Sequence, residues 1–303
     1  MDFIAAYIMR GRLQAMIVAS SLALLSLIMP PVSVVSSAAV ALVTLRLGAM
    51  EGLYVLGCSS LAAGLLGLLL LGNYQFALIY ALVLWLPVWL ISIVLREGRH
   101  LSLAVEIAVL LGVFAVIGCY LYNPNMVAIW NALFAQMLPS RLPPGTPIED
   151  FKRTTDLLAH FMTGVAAAGT VFSLLFGLFL GRWWQANLYN PGGFKTEYLS
   201  LRMHPRLAIG SMGVIAVALI TSGTVSEIAW NATILLFVLY SVVGTAVLHT
   251  LFAAMKLARF TVPMLYITLF LIPHALLLVA VVGLVDAWLN LRKYQSTNKT
   301  PKA

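Results

Sequence analysis

The sequence predicts an all-α fold, a polytopic transmembrane helical bundle of about eight or nine spans. Three observations carry this prediction. Of 303 residues, 62% are hydrophobic and 9% are charged, against roughly a quarter charged in a water-facing domain. The apolar residues form runs of membrane length rather than one face of surface helices. The basic residues sit in the gaps between those runs, as the positive-inside rule requires.

The first run, 13–29, follows Arg10 and Arg12 and ends at Pro30-Pro31. Its flanks resemble those of a secretory signal, but the chain continues in the same apolar style, so it reads as an uncleaved first span. The second run, 31–45, is short for a hydrocarbon layer of ~30 Å and is expected to kink against the first at the double proline. Runs 53–71, 76–95 and 101–122 complete a five-span N-terminal bundle, residues 1–122. The external segment 123–156 holds an amphipathic stretch, NMVAIWNALFAQML, suited to lying in the interface, then the proline-rich PSRLPPGTPIEDF, and reads either as a solvated connector with one interfacial helix or as a lid over a pocket. The C-terminal part, 157–290, carries runs 157–180, 207–224, 228–254 and 262–290, with a cytoplasmic loop at 182–206. The last run is long enough to tilt or to break at Pro273. Residues 291–303 form a basic polar tail.

A cytoplasmic N-terminus puts most basic gap residues from Arg10 to Arg259, Lys256 included, inside, and leaves Arg141, Lys152 and Arg153 outside. The tail residues Arg292, Lys293, Lys299 and Lys302 would face outward with nine spans and inward with eight or ten. The charge bias favours an even count. The double-proline hairpin and the final run are the two places where the count stays open.

The net charge of +8 comes from residues in short gaps between apolar runs, a placement that suits anionic headgroups and not nucleic acid. Cys58 and Cys119 both lie in apolar runs and read as small hydrophobes rather than a disulfide. No HExxH, CxxC, GxxxxGK[ST] or GxSxG occurs, so no catalytic residue, metal ligand or cofactor is expected.

Spans pack where small residues let backbones approach. Gly169, Ser173, Gly177 and Gly181 repeat at four-residue spacing, as do Ala15, Ala19 and Ala23. Ionisable groups at membrane depth are costly unless paired or hydrated. His274, beside Pro273, is the most central of them, while Asp286 near Arg292 fits interfacial hydration or a local ion pair. Trp130, Asn131, His160, Asn231 and His274 are the candidates for lining a pocket on the external side. Arg182, Trp183, Trp184, Phe194, Tyr198 and Arg202 mix aromatics with cations in the 182–206 loop. Trp183 and Trp184 first suggest interfacial anchors, and the whole set is the candidate docking surface.

The stretch PPVSVVSSAAVALVTLRLGAMEGLYVLGCSSLAAGLLG, 30–67, resembles the opening of the S components of energy-coupling-factor vitamin transporters. They share a prolyl entry, a short second span and a tight turn, here carried by Gly48 and Gly52. The resemblance implies that Ala15, Ala19 and Ala23 match the stripe contacting an energising subunit. The chain has more spans than the six of an S component. GRWWQANLYNPGGFKTEYLSLR, LREGRHLSLA and VGLVDAWLNLRK resemble the YybS-like family of bacterial membrane proteins, whose function is unassigned. That resemblance implies the bacterial cytoplasmic membrane.

The expected function is small-molecule binding or a transport-related role in the manner of an S component. The alternative is a non-transporting partner or assembly factor that docks through its Trp/Arg-rich loop. The partners that go with these readings are membrane lipid, further membrane subunits or an ATPase module, and a small molecule of unidentified structure.

Overall fold

The computed structural model describes residues 2–137, 148–255 and 257–293. Among them the regular elements are helices only: α1 (Asp2–Ile8), α2 (Arg12–Leu25), α3 (Val32–Leu47), α4 (Ala49–Leu71), α5 (Gln75–Tyr80), α6 (Leu86–Gly98), α7 (Leu101–Tyr122), α8 (Met126–Met137), α9 (Ile148–Tyr189), α10 (Gly193–Leu199), α11 (Pro205–Ile220), α12 (Gly223–Ala253), α13 (Ala258–Leu271) and α14 (Ala275–Leu289). A π-helical turn at Ala81–Trp85 joins α5 to α6. It stands just before Pro87, which has no N–H to give a regular turn. Arg141, Lys256, Lys299, Lys302 and residues 139–147 of the proline-rich stretch lie outside the described residues.

Five helices have the length and apolarity to cross a bilayer: Ala49–Leu70, Gln75–Gly98, Leu101–Tyr122, Lys152–Tyr189 and Gly223–Ala253. The helices α2, α3, α11, α13 and α14 are apolar but shorter, 14 to 16 residues, or about 21–24 Å at 1.5 Å per residue. The chain is thus a polytopic membrane protein built of long and short helices.

Small residues set the packing at the centre. Gly177 and Gly181 of α9 meet Ser37 and Ala41 of α3, the same offset of 140 in each case, so the two helices run parallel. His160 and Gly164 of α9 meet Glu227 and Asn231 of α12, again at one offset, 67. A side chain at Gly244 of α12 would collide with the Val279 carbonyl, and one at Gly283 with the Tyr240 carbonyl, so α14 packs backbone to backbone against α12. Ala15, Ala19 and Ala23 are fully buried on α2, and Ser36 of α3 donates to the Ala19 carbonyl at 2.7 Å. Gly48 turns the chain between α3 and α4 at φ 115°, and a side chain at Gly52 would strike Thr44.

Two short hairpins emerge from this packing. The pair α2–α3 turns at Pro30-Pro31, and α13–α14 turns at Ile272-Pro273-His274. Val32, where α3 begins, is level with Phe172 through the 140 offset. That is twelve residues, or about 18 Å, short of His160 on α9. Leu27, Ile28, Met29, Leu271 and Ile272 are exposed at the two tips, which suits burial in hydrocarbon and not in water.

The opposite ends of these hairpins join a single polar belt. Arg12 pairs with Glu51, and Arg96 and Gln185 both donate to the Leu45 carbonyl. Arg46 stacks on Tyr189 at 4.0 Å, Arg182 pairs with Glu197, and the Arg202 amide donates to Ser102. Arg292 and Thr250 both reach the Leu199 carbonyl. We call this the basic end. The final run, 262–290, accordingly folds back on itself at Pro273, and Arg292 ends on the same side as Arg12.

Candidate functional site

Four of the five residues expected to line a pocket gather at the end opposite the basic belt. Trp130 donates to Thr163 at 2.9 Å, Asn131 to Asp156 at 2.7 Å, and His160 Nδ1 lies 2.9 Å from Glu227. Asn231 is fully buried. It accepts from the Gly164 amide and reaches Tyr120 and the carbonyls of His160 and Glu227 within 3.2 Å. Glu227 and Tyr120 are members that sequence reasoning missed. The signal was present: His160 and Gly164 on one helix, and Glu227 and Asn231 on another, are each spaced by four and so share a face.

His274 does not belong to this group. It caps α14 at the exposed tip of the second hairpin, because Pro273 divides the last run into two arms and leaves its centre at a turn. Asp286 is fully buried and pairs with Arg292 at 2.8 Å, the local ion pair the spacing suggests.

The amphipathic stretch forms α8, and Met126 and Trp130 roof a lateral cavity of about 330 Å³ over α7 and α9. Its floor is small, with Gly112, Ala115, Ala166 and Ala167, and its polar groups are few, Thr163 and Thr170 among them. The amphipathic stretch thus forms one side of a greasy groove.

A larger cavity, about 520 Å³, lies toward the basic end between α9, α10, α12 and α13, with Leu276 of α14 at its deep side. Phe172 and Phe176 stack at 5.8 Å, and Phe179, Phe194 and Tyr198 form a triangle of rings with centroids 5.8–5.9 Å apart. Ser241, Thr245 and His249 line it from α12, and Tyr266 from α13. His249 Nδ1 is 2.7 Å from the Tyr266 hydroxyl. Lys195 stands at the edge. Burial drives the Tyr198 phenol well above its ordinary pKa, so it stays a neutral hydroxyl. A partly open, mostly apolar volume with a few converging polar groups is a form that small-molecule sites take.

This cavity takes two members of the loop expected to dock a partner, since Phe194 and Tyr198 turn inward to line it. Trp184 is also not a surface contact: it is 1% exposed, and its indole N–H has no acceptor among the described residues. Arg182 is held by Glu197 and Gln185. Trp183 is half-buried and Arg202 exposed. Phe194 and Tyr198 thus build part of an interior wall, because α10 folds back against α9 and α12.

Of the small-residue stripe on α9, Gly177 and Gly181 meet α3, whereas Gly169 faces open space and Ser173 bonds back to the Gly169 carbonyl. Four-residue spacing drifts by about 40° per step on a 3.6-residue helix. Three steps carry Gly169 about 120° away from Gly181. Cys58 and Cys119 are both free and exposed.

Residues 149–287 are similar to a family described as "Predicted membrane protein (DUF2232)". The matched stretch runs from the first turn of α9 to the last turn of α14 and contains every residue that lines the larger cavity. No curated protein matches the chain, and no solved structure does. Fold and family similarity together describe an integral, multi-pass helical membrane protein.

Proposed function

We propose that this protein binds a hydrophobic small molecule within the membrane, in the aromatic cavity between α9, α10, α12 and α13. One observation carries the reading: about 520 Å³ of space, walled by Phe172, Phe176, Phe179, Phe194 and Tyr198, with Ser241, Thr245 and His249 on one side. That volume lies within the ~300–1,000 Å³ of ligand sites. The charge distribution supports placing the basic end in the cytoplasm. Twelve described cations belong to it (Arg10, Arg12, Arg46, Arg96, Arg99, Arg182, Lys195, Arg202, Arg206, Arg259, Arg292 and Lys293), against Lys152 and Arg153 at the other. A bacterial cytoplasmic membrane fits this orientation, and delivery of the ligand to separate membrane subunits, as S components do, is the transport form of the same reading.

Native mass spectrometry of the protein released from its own membrane in mild detergent tests the reading. A stoichiometric small-molecule adduct is expected, and it should be lost from Thr245→Phe, which fills the cavity. An adduct retained unchanged by a Thr245→Phe protein of normal yield would place the ligand elsewhere.

A further inference from the structure

We infer that the occupant of the aromatic cavity is an anionic lipid, held with its acyl portion among Phe172, Phe176 and Leu276 and its phosphate headgroup at Lys195. The inference rests on the cavity being a binding site, as proposed above, and adds the chemical class of its ligand. Two features argue for that class.

The first is a gradient of polarity along the cavity. Phe172 and Leu276 lie farthest from the basic end, while Phe176, Leu269 and Phe270 stand opposite Ser241 and Thr245. On α12 the residues Ser241, Thr245 and His249 follow one another at four-residue steps, spanning about 12 Å toward the basic end. Tyr266 and Lys195 complete the polar side. A molecule matching this lining is apolar at one end and polar at the other, and lies parallel to the helices as a membrane lipid does.

The second is charge. Among the described residues no acidic side chain lines the cavity, and Lys195 is the one lysine or arginine that does. Glu197, two residues along the sequence, is engaged by Arg182 through both oxygens. A cation beside an aromatic wall, without a carboxylate partner among the described residues, attracts an anion. His249 adds a further hydrogen-bonding nitrogen on the same side, already set by its contact with Tyr266. A phosphodiester at the membrane surface supplies the charge, and its acyl chains supply the apolar part.

The test uses the full-length protein, delipidated in neutral detergent and titrated with phosphatidylglycerol or phosphatidylcholine, with bound lipid counted by native mass spectrometry. The wild type should prefer phosphatidylglycerol by roughly fivefold, the scale of one lysine against an anionic headgroup. Lys195→Glu should abolish that preference, and raised salt should weaken it. Thr245→Phe and, on the α13 wall of the cavity, Leu269→Trp should reduce retention of both lipids. Equal retention of the two lipids by the wild type, or an unchanged preference in Lys195→Glu, overturns the anionic assignment. If the cavity-filling variants still lose both lipids in that case, the binding reading itself survives. Lipid retained at wild-type levels by both filling variants is annular, and overturns the binding reading as well.

Discussion

At Asn231 one amide side chain engages α7, α9 and α12 together. Its oxygen accepts from the Gly164 amide, and its nitrogen faces the Tyr120 hydroxyl and the carbonyls of His160 and Glu227. No alanine can replace these bonds, and each buried polar group left without a partner costs about 1–3 kcal/mol. Asn231→Ala should therefore lower the unfolding temperature in detergent markedly more than Asn131→Ala, whose exposed bond to Asp156 is replaceable by water. Equal effects would remove Asn231 from its place at the three-helix junction. The glycines allow a sharper comparison. A Cβ at Gly244 would overlap the Val279 carbonyl oxygen, whereas Gly169 has nothing within 4 Å. Gly244→Ala must push α14 off α12, at a cost of about 1–3 kcal/mol for overpacking. Gly169→Ala should be neutral or slightly stabilising, since alanine is the better helix former. Thermal unfolding of the two variants side by side decides the point.

The two arms of the second hairpin differ in how firmly they are held. On α14 the residues Val279, Ala280, Gly283, Asp286 and Ala287 are buried, but on α13 only Leu265 is. Pro263 inside α13 also removes a backbone bond to the preceding turn. The link from α13 to α12 is the pair His249 and Tyr266, with Thr261 reaching the Phe252 carbonyl at 3.3 Å. Since α13 is also the outer wall of the aromatic cavity, it is the element through which a ligand would enter. Hydrogen exchange in detergent should show α13 amides exchanging at least about tenfold faster than those of α14, as expected where few apolar contacts are buried. Tyr266→Phe should widen the gap. Uniform protection of both arms would mean that the cavity is closed on that side.

At this scale it is also clear what the sequence could and could not convey. The helix-forming runs, the turn at Pro30-Pro31, the break at Pro273 and the amphipathic α8 are local, written in hydrophobicity and proline. The Asp286–Arg292 pair is local as well. The cavity is not, because its lining comes from five helices between Phe172 and Leu276, and a phenylalanine in a span reads as lipid-facing until its neighbour is known. The inward turn of Phe194 and Tyr198 has the same origin: it depends on α10 folding against α9 and α12, which the loop's composition does not encode. His160 and Asn231 were visible as polar residues in apolar runs, but Glu227 became their partner only through the parallel register of α9 and α12.

For the whole molecule, the decisive consequence is topology. Counting α2, α3, α4, the α5–α6 unit, α7, α9, α11, α12, α13 and α14 gives ten passes toward or away from the basic end, so both ends of the described chain lie together. The even number satisfies the charge bias, because Arg292 and Lys293 join Arg10 and Arg12 instead of facing Lys152 and Arg153 across the membrane. It does so by making four of the ten passes the arms of short, proline-tipped hairpins, with α2, α3, α13 and α14 each too short for ~30 Å of hydrocarbon without thinning or tilt. Single cysteines placed at Arg10, Lys152 and Lys293, in a protein with Cys58 and Cys119 replaced by alanine, test this arrangement. In sealed, right-side-out vesicles a membrane-impermeant maleimide should label position 152 alone, and positions 10 and 293 only after permeabilisation. A fourth cysteine at Ile272, on the second tip, should resist the reagent in both conditions if the apolar turn lies within hydrocarbon. Labelling of 293 from the same side as 152 would mean that the last run crosses the membrane as one helix. The α13–α14 hairpin, and the cavity it closes, would then be lost together.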